Sequence, residues 1–395
     1  LGPAGADPVL SEEAFDEVFF SHLPRCSAAD HAGWRYEYLS WTYRHLSSTL
    51  PGQPLGTRRA FVPGRGRHAL WGFISLLFSG GLPPSVRSWF LGGRLIALRK
   101  EGDDDSSPAS DRRLRPIAIG STFGRAVSMV AAAHYRSAFA TFLQPPPPGA
   151  PAARSAQPDG TPWPIQVGVA CRSGVEFTTH SVRALLDEHP DWVDLALDFS
   201  NAFNTIHRRS FLTVVAQSFP GLWQWVYTCY GSPTDLYVRR DGEPPAVVHS
   251  RCGTRQGDPL GAQLFALGLH PVLCALASYV GSRGVVIAYA DDVHVIAPPA
   301  VIASVAPLLA ALRPPPPRPP PARPRPDCRF SSAGLTLSLG KSSAYSPSLA
   351  TPGGHSSLAR TLAPAISVLT PTHHAGDELT LDARSQSSHL LLRSA

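Results

Sequence analysis

Two adjacent carboxylates, Asp291 and Asp292, stand inside the apolar run at residues 287–296, IAYADDVHVI. Removing an unpaired carboxylate from water costs several kcal/mol, so an acid in a buried strand must be hydrogen-bonded, ion-paired or bound to a cation. A hairpin turn with two solvated aspartates explains the same run, because Asp is common in turns. The pair by itself leaves both interpretations open.

A third carboxylate, Asp198, follows a segment that alternates between apolar and other residues, residues 193–199, VDLALDF. A period of two predicts a strand with Asp194 and Asp198 on the same face. Acids on strands from distant parts of the chain can converge on a divalent metal. Hard cations such as Mg²⁺ take oxygen ligands and leave room for substrate phosphates. Two such ions roughly 3.5 to 4 Å apart hold the attacking and leaving oxygens of a phosphoryl transfer, which is the chemistry of polymerases.

A glycine-containing loop lies between these acids, at residues 251–261, RCGTRQGDPLG. Asp258 is placed to cap a helix whose first residue is Pro259, with Gln256 exposed just before it. The helix is expected to run to about Val280 and to be kinked or interrupted at Pro271, which lacks an amide donor. Considered alone, this segment is explained as an ordinary loop and helix start.

In this order, the three segments resemble the first three palm motifs of reverse transcriptases, especially those of non-LTR retrotransposons. The motifs are residues 197–203 (LDFSNAF), 255–261 (RQGDPLG) and 289–292 (YADD). Four other segments are similar to parts of the same enzymes: residues 33–39 (GWRYEYL), the fingers strands 92–100 (GGRLIALRK) and 114–120 (LRPIAIG), and a fourth palm motif at 334–341 (GLTLSLGK). The resemblance extends from about residue 33 to residue 341.

The resemblance implies a metal site and a proton donor. Asp198 and Asp291 would hold two Mg²⁺ or Mn²⁺ ions, with Asp292 a weaker ligand because adjacent strand residues point to opposite faces. Phe199 is included among the metal-binding positions. Lys341, which ends the fourth motif, would act as a general acid toward the departing pyrophosphate, since a lysine can give up its proton and an arginine cannot.

The resemblance also implies a nucleotide site. Phe203 occupies the aromatic position that lies beneath the sugar and excludes a 2′-hydroxyl, so it would favour deoxynucleotides. Gln256 would position the incoming nucleotide and the template, and Arg115 with Lys100 would neutralise the triphosphate. The remaining nucleotide-binding positions are Ala202, Tyr289 and Gly257.

Composition agrees with a polyanionic partner. The chain of 395 residues has a formal net charge of +6 and a pI near 9.1, and only two of its 35 basic residues, Lys100 and Lys341, are lysines. Its six cysteines show no metal or disulfide spacing, and no Walker loop, HExxH helix or dinucleotide glycine pattern indicates another enzyme. We expect no stretch of the roughly 18 to 20 apolar residues that a membrane span needs.

The expected fold is α+β: a right-hand polymerase with fingers, an antiparallel palm sheet, and a thumb that is missing or degenerate. The expected divisions are an N-terminal helical extension (1–60), a fingers-like region (61–191) with a proline-rich insert (144–164), a palm with the catalytic motifs (192–312), a disordered Pro/Arg-rich linker (313–330), the last palm motif (331–345) and a degenerate or disordered tail (346–395). The start at Leu1 indicates a fragment of a longer reading frame.

The expected function is RNA-directed DNA polymerisation by a retroelement fragment. Its partners would be an RNA template, a DNA primer and deoxynucleoside triphosphates, with no membrane. An inactive retrotransposon remnant and a domesticated nucleic-acid-binding scaffold remain as alternatives. An RNA-directed RNA polymerase fits less well with Phe203 and with the alanine of YADD. The chain is expected to be intracellular, and a nuclear location is suggested by the family alone.

Overall fold

The computed structural model describes residues 8–45, 65–99, 114–144, 163–240, 242–310, 333–338, 342–347 and 389–391. Lys100, Lys341, residues 313–330 and most of residues 144–164 lie outside this part of the chain. The helices, in chain order, are α1 (Glu12–Glu17), α2 (Tyr36–His45), α3 (Arg65–Phe78), α4 (Pro84–Phe90), α5 (Thr122–His134), α6 (Arg136–Leu143), α7 (Gly174–Glu188), α8 (Ala202–Thr205), α9 (Arg208–Ser218), α10 (Pro220–Tyr230), α11 (Gly261–Val280) and α12 (Pro299–Ala310). The strands are β1 (Gly93–Arg99), β2 (Leu114–Gly120), β3 (Val193–Leu197), β4 (Thr234–Arg240), β5 (Glu243–Ser250), β6 (Val285–Tyr289), β7 (Asp292–Ala297), β8 (Ser343–Tyr345) and β9 (His389–Leu391).

The chain forms two compact units, and neither is continuous in sequence. Unit 1 comprises Leu1–Arg136 and Leu212–Gly261, and unit 2 comprises Ser137–Phe211 and Ala262–Ala395. Each of the two units contains one of the sheets found in the described residues.

Unit 1 contains a sheet in the order β2-β1-β4-β5. The two segments predicted as strands are confirmed: β1 and β2 pair antiparallel from Gly93 opposite Gly120 to Arg99 opposite Leu114. Helices α1, α2, α3 and α5 pack on one another around buried aromatic and aliphatic side chains such as Phe15, Tyr43 and Ile74. Within the predicted N-terminal segment, Glu12–Glu17 and Tyr36–His45 are α-helices, and the described residues 23–35 between them are not helical.

The buried side chain of Arg67 on α3 forms ion pairs with two carboxylates of α1. The Arg67 side chain is 6% exposed, and its guanidinium donates to Asp16 at 2.8 and 2.7 Å and to Glu12 at 2.8 Å. The Tyr43 hydroxyl donates to the same Asp16 carboxylate at 2.8 Å. Such paired hydrogen bonds compensate the desolvation of the guanidinium.

Unit 2 contains a sheet in the order β6-β7-β3-β8-β9, in which all neighbouring strands are antiparallel. The predicted strand at residues 193–199 is β3, and the predicted hairpin is formed by β6 and β7. Helix α7 packs on one face of the sheet, where a core cluster comprises Val167, Leu185, Leu186, Val285, Ile287 and Ile296. Of the residues in the predicted tail (346–395), residues 389–391 pair with β8 as a strand, and most of the others lie outside the described part of the chain.

Helix α11 corrects two expectations. Its helical turns begin at Gly261 and not at Pro259, because Asp258 first closes a turn: its Oδ1 accepts from the Leu260 amide at 3.1 Å and its carbonyl from the Gly261 amide at 2.8 Å. The helix then continues through Pro271 without interruption.

The same helix corrects the expectation about apolar stretches. Among the described residues, Gly261–Arg283 is long and apolar enough to cross a membrane by length and composition. The sequence analysis did not single out this stretch. Of its most apolar window, 61% is buried inside the protein, as in the core helix of a globular domain.

Candidate active site

The carboxylate of Asp198 lies immediately beyond the end of β3, on a backbone held by the segment that precedes β8. The Asp198 amide donates to Ser342 Oγ at 3.1 Å, and its carbonyl accepts from the Ser338 amide at 2.8 Å. Ser342 is fully buried, and its hydroxyl donates in turn to the Ser338 carbonyl at 3.0 Å. These bonds fix the backbone that carries Asp198 at the end of the central strand β3.

The hairpin between β6 and β7 brings a second carboxylate opposite the first. Strands β3 and β7 are paired up to Leu197 opposite Val293, so the next position along each strand places Asp198 opposite Asp292. Directly opposed residues of an antiparallel pair project to the same face. Ala290 and Asp291 form the two-residue turn of the hairpin, with Tyr289 paired to Asp292 across it.

The two opposed carboxylates influence each other electrostatically. Partial desolvation, and then the negative charge of Asp198, raise the pKa of Asp292 above its ordinary value. Like charges brought together disfavour ionisation unless a cation compensates them. Asp198 and Asp292 therefore bring two like charges together at the end of β3, and the charge of His294 only partly offsets their effect on Asp292.

A histidine–aspartate pair that the sequence analysis missed lies on the same face. The buried Asp194 accepts from His294 Nδ1, which lies 3.0 Å from each of its carboxylate oxygens. Burial of the ring opposes protonation, but the bond to Asp194 and the charges of Asp194 and Asp292 raise the pKa of His294. The alternation that placed Asp194 beside Asp198 was the available signal, and the pairing partner became identifiable only from the strand register.

The other predicted site residues of the first motif (residues 197–203) are buried or stacked on another ring within unit 2. Phe203 stacks on Phe265 with ring centroids 4.4 Å apart and an interplanar angle of 21°. Phe199 is 3% exposed and Ala202 is also 3% exposed. Since the Phe199 side chain is apolar and buried, only its backbone oxygen could serve as a metal ligand.

The predicted nucleotide-binding residues Arg115, Gln256 and Gly257 belong to unit 1. Arg115 is exposed on β2, and the Gln256 carbonyl accepts from the Ala118 amide of that strand at 2.9 Å. Gly257 has a φ of +114°, and a Cβ there would lie 2.5 Å from the Ala118 carbonyl oxygen, so this position requires glycine. The loop and β2 are thereby held in contact.

The residues on either side of Gln256 and Gly257 form a buried polar network. The Tyr230 hydroxyl donates to Asp258 Oδ2 at 2.6 Å and accepts from the Arg255 amide at 3.3 Å. The Arg255 guanidinium lies 5.1 Å from the centre of the Tyr230 ring and donates to the Leu91 carbonyl. Burial, followed by the charge of Asp258, raises the pKa of Tyr230, so its hydroxyl stays protonated and available as a donor.

The described residues contain no group of three or more His, Cys, Asp or Glu side chains arranged to hold a metal ion. The donor set that the structure presents is therefore the carboxylate pair of Asp198 and Asp292, with Asp291 in the adjoining turn. A small set of carboxylate oxygens suits a hard divalent cation, which completes its shell with water and substrate phosphates.

Comparison with known proteins assigns the family. Residues 99–302, just over half of the 395-residue chain, match the family profile described as Reverse transcriptase (RNA-dependent DNA polymerase). The chain belongs to the reverse transcriptase family. The matched region contains Asp198, Gln256 and the YADD hairpin, so the predicted resemblance is confirmed.

Two individual proteins are similar over part of their length. The Retrotransposable element SLACS 132 kDa protein of Trypanosoma brucei gambiense is 33% identical over 141 residues, covering 34% of this chain and 12% of that protein. The chain thus spans about an eighth of the length of this relative. An apo telomerase structure from Candida tropicalis, truncated from its C-terminal domain, aligns over 58% of this chain and 49% of its own, with 11% identity and a TM-score of 0.36.

Proposed function

We propose that this chain is the RNA-directed DNA polymerase domain of a retroelement, extending a DNA primer on an RNA template. The observation that carries the proposal is the opposition of Asp198 and Asp292 at the end of one antiparallel pair, inside the region that matches the family. In this proposal the sheet of unit 2 is the palm, and β1 and β2 of unit 1 belong to the fingers.

The carboxylates of Asp198, Asp291 and Asp292 would hold two Mg²⁺ or Mn²⁺ ions. Partial desolvation, and then repulsion by Asp198, raise the pKa of Asp292; the repulsion supports this assignment, because a divalent cation would compensate it. Bound ions of this kind activate the primer 3′-hydroxyl and stabilise the leaving pyrophosphate. His294 is held by Asp194 on the same face, and its protonated form would limit the repulsion in the protein before a cation binds.

Each unit carries residues that the family suggests for nucleotide binding. Phe203, backed by Phe265, supplies a rigid apolar surface for the sugar. Arg115 is free to point its exposed guanidinium at a triphosphate, with which it can form two parallel hydrogen bonds. Gln256 would be presented by a loop whose course is set by Gly257. Ala202, Tyr289, Lys100 and Lys341 complete the set as family-based proposals.

Primer extension on an RNA template with deoxynucleotides and Mg²⁺ or Mn²⁺ tests the function. We expect extension by the native chain and a loss of at least about 10²-fold in rate for Asp198→Asn, since electrostatic groups at a reacting centre contribute of that order. Asp187→Asn, which neutralises an exposed carboxylate on α7, is the matched control and should extend normally.

A chain that binds primer–template but never extends it would support the second candidate, a nucleic-acid-binding scaffold. Extension by Asp198→Asn at the native rate would contradict the assignment of the carboxylate pair in either case.

A further inference from the structure

Residues 165–168 run along the free edge of β6, next to the hairpin that carries the YADD motif. The Ala288 amide donates to the Ile165 carbonyl at 2.7 Å, and the Val167 amide donates to the Ala288 carbonyl at 2.8 Å. These bonds pair Gln166 with Ala288 in a parallel bridge. The segment therefore acts as a short additional strand that ends at the catalytic turn.

The side chain of Gln166 is fully buried and binds both backbone groups of Ala290. Its Oε1 accepts from the Ala290 amide at 2.9 Å, and its Nε2 donates to the Ala290 carbonyl at 3.1 Å. Oε1 also accepts from the Gly168 amide at 2.9 Å. Two amide donors face the same oxygen, so the network itself fixes which end of the Gln166 amide is the oxygen.

The bound residue has a backbone conformation that it would not adopt readily by itself. Ala290 has a φ of +56°, in the left-handed region that is unfavourable for residues with a Cβ. The approach of the two segments is also close: a Cβ at Gly168 would lie 2.1 Å from the Ala290 amide nitrogen. A strained residue persists where its surroundings over-determine it, and here Gln166 and Gly168 supply that constraint.

We propose that Gln166 is a positioning residue for the reaction: its amide holds Ala290 in the left-handed conformation and so sets the direction in which Asp291 and Asp292 present their carboxylates. This inference rests on the proposed polymerase function for its catalytic consequence. We call the hydrogen bonds between the Gln166 side chain and the Ala290 backbone the clamp. The clamp is a property of the folded chain, so it can be measured without any catalysis.

Hydrogen exchange of the metal-free protein tests the clamp directly. Gln166→Met keeps the length of the side chain but removes all three bonds, leaving the Ala290 and Gly168 amides without acceptors. We expect peptides covering residues 286–293 to exchange at least about tenfold faster, with the rest of unit 2 unchanged. Gln217→Met, at an exposed glutamine on α9, is the matched control. Unchanged exchange in the hairpin would overturn the clamp.

Single-nucleotide addition at saturating substrates tests the positioning role. We expect Gln166→Met to lower kcat by about 10- to 100-fold, because displacement of reacting groups by about 1 Å has effects of this size. The affinity for primer–template, measured in EDTA, should not change. A loss confined to primer–template affinity, with kcat preserved, would contradict positioning.

A second substitution separates positioning from stability and covers the case in which Gln166→Met folds poorly. Ala290→Gly relieves the unfavourable φ, so the Gln166→Met/Ala290→Gly double variant should regain part of the melting temperature that Gln166→Met loses. Its hairpin amides should still exchange rapidly and it should still add nucleotides slowly, because no side-chain amide holds the backbone at position 290. If the double variant regains the native kcat together with its stability, the role of Gln166 is structural only.

The two proposals fail in different ways. If the native chain shows no extension under any condition, the polymerase function is refuted, while the exchange result still decides whether Gln166 holds the turn. If the native chain extends primers and Gln166→Met matches it in both kcat and hairpin exchange, the polymerase function stands and the inference about Gln166 is wrong.

Discussion

At the scale of single residues, the carboxylate pair illustrates a conflict between stability and function. Folding raises the pKa of Asp292, because partial desolvation and the negative charge of Asp198 both oppose its ionisation. A group whose pKa is raised by folding stabilises the folded state only at pH values below its ordinary pKa of about 3.9, and this contribution is lost as the pH rises. In the metal-free protein at neutral pH, Asp292 therefore lowers the free energy of unfolding.

Replacing Asp292 by a neutral residue should remove this destabilisation. We expect Asp292→Asn to raise the free energy of unfolding in EDTA at neutral pH, by less than about 1 kcal/mol because solvent screens the exposed side chain. Adding Mn²⁺ should stabilise the native protein and not the variant, since ligand binding stabilises only the state that binds it. Urea denaturation measures both effects, with Asp187→Asn as a control that should be neutral. A variant less stable than the native protein in EDTA would contradict the repulsion.

Phe203 carries a separate prediction about sugar selectivity. Its ring is held against Phe265, so it cannot easily move away from a 2′-hydroxyl. We expect Phe203→Ala to reduce discrimination against ribonucleotides by about 10-fold or more, measured as the ratio of kcat/KM values for the two sugars. Phe265→Leu, which loosens the stacking but leaves Phe203 in place, should have a smaller effect. Unchanged selectivity in Phe203→Ala would refute the role taken from the family.

At the scale of secondary-structure elements, the contact between α1 and α3 depends on charge. Desolvation raises the pKa of Asp16, but the hydrogen bonds from Arg67 and Tyr43 outweigh it and lower the pKa overall. A carboxylate with a lowered pKa stabilises the folded state above its ordinary pKa of about 3.9, and this stabilisation is lost as the pH falls through the lower, folded value.

Asp16→Asn should therefore destabilise the protein in a pH-dependent way. The Asp16 side chain is 39% exposed, so we expect a loss of about 1 to 2 kcal/mol at neutral pH, below the full value of charged hydrogen bonds to a buried guanidinium. The difference between native protein and variant should shrink as the pH falls below 3.9. Denaturation at several pH values measures it, with Glu13→Gln, an exposed acid of the same helix, as the control. A pH-independent loss would show that the charge is not responsible.

At the scale of the whole molecule, the excess of arginine predicts electrostatic binding to nucleic acid. With a net charge of +6, the affinity for an RNA–DNA duplex should fall steeply as salt rises, because each neutralised phosphate releases counterion and contributes about −0.9 to the slope of log K against log salt for duplex DNA. Titrations at several KCl concentrations measure that slope. A slope near zero would contradict a polyanionic partner and with it the proposed function.

The sequence by itself determined those features of the protein that depend on local spacing. The alternation around Asp198 predicted β3, the YADD run predicted the β6–β7 hairpin, and two upstream segments predicted β1 and β2, because strand periodicity and turn chemistry act over a few residues. Helix α11 shows the limit of local rules. Pro271 was expected to kink or interrupt it, yet the helix is not interrupted, since packing of its long apolar surface in the core outweighs the loss of one amide donor.

Tertiary structure alone decided which residues meet. The register of β3 with β7 placed Asp198 opposite Asp292 and Asp194 beside His294. The spacing of residues along the chain does not predict the register between strands that are about a hundred residues apart. Gln166 was missed for the same reason: a glutamine between two apolar residues has no sequence signature for binding the backbone of Ala290, 124 residues further on. The chemistry of the site was readable from residue types, but its geometry depends on long-range pairing that only the folded chain specifies.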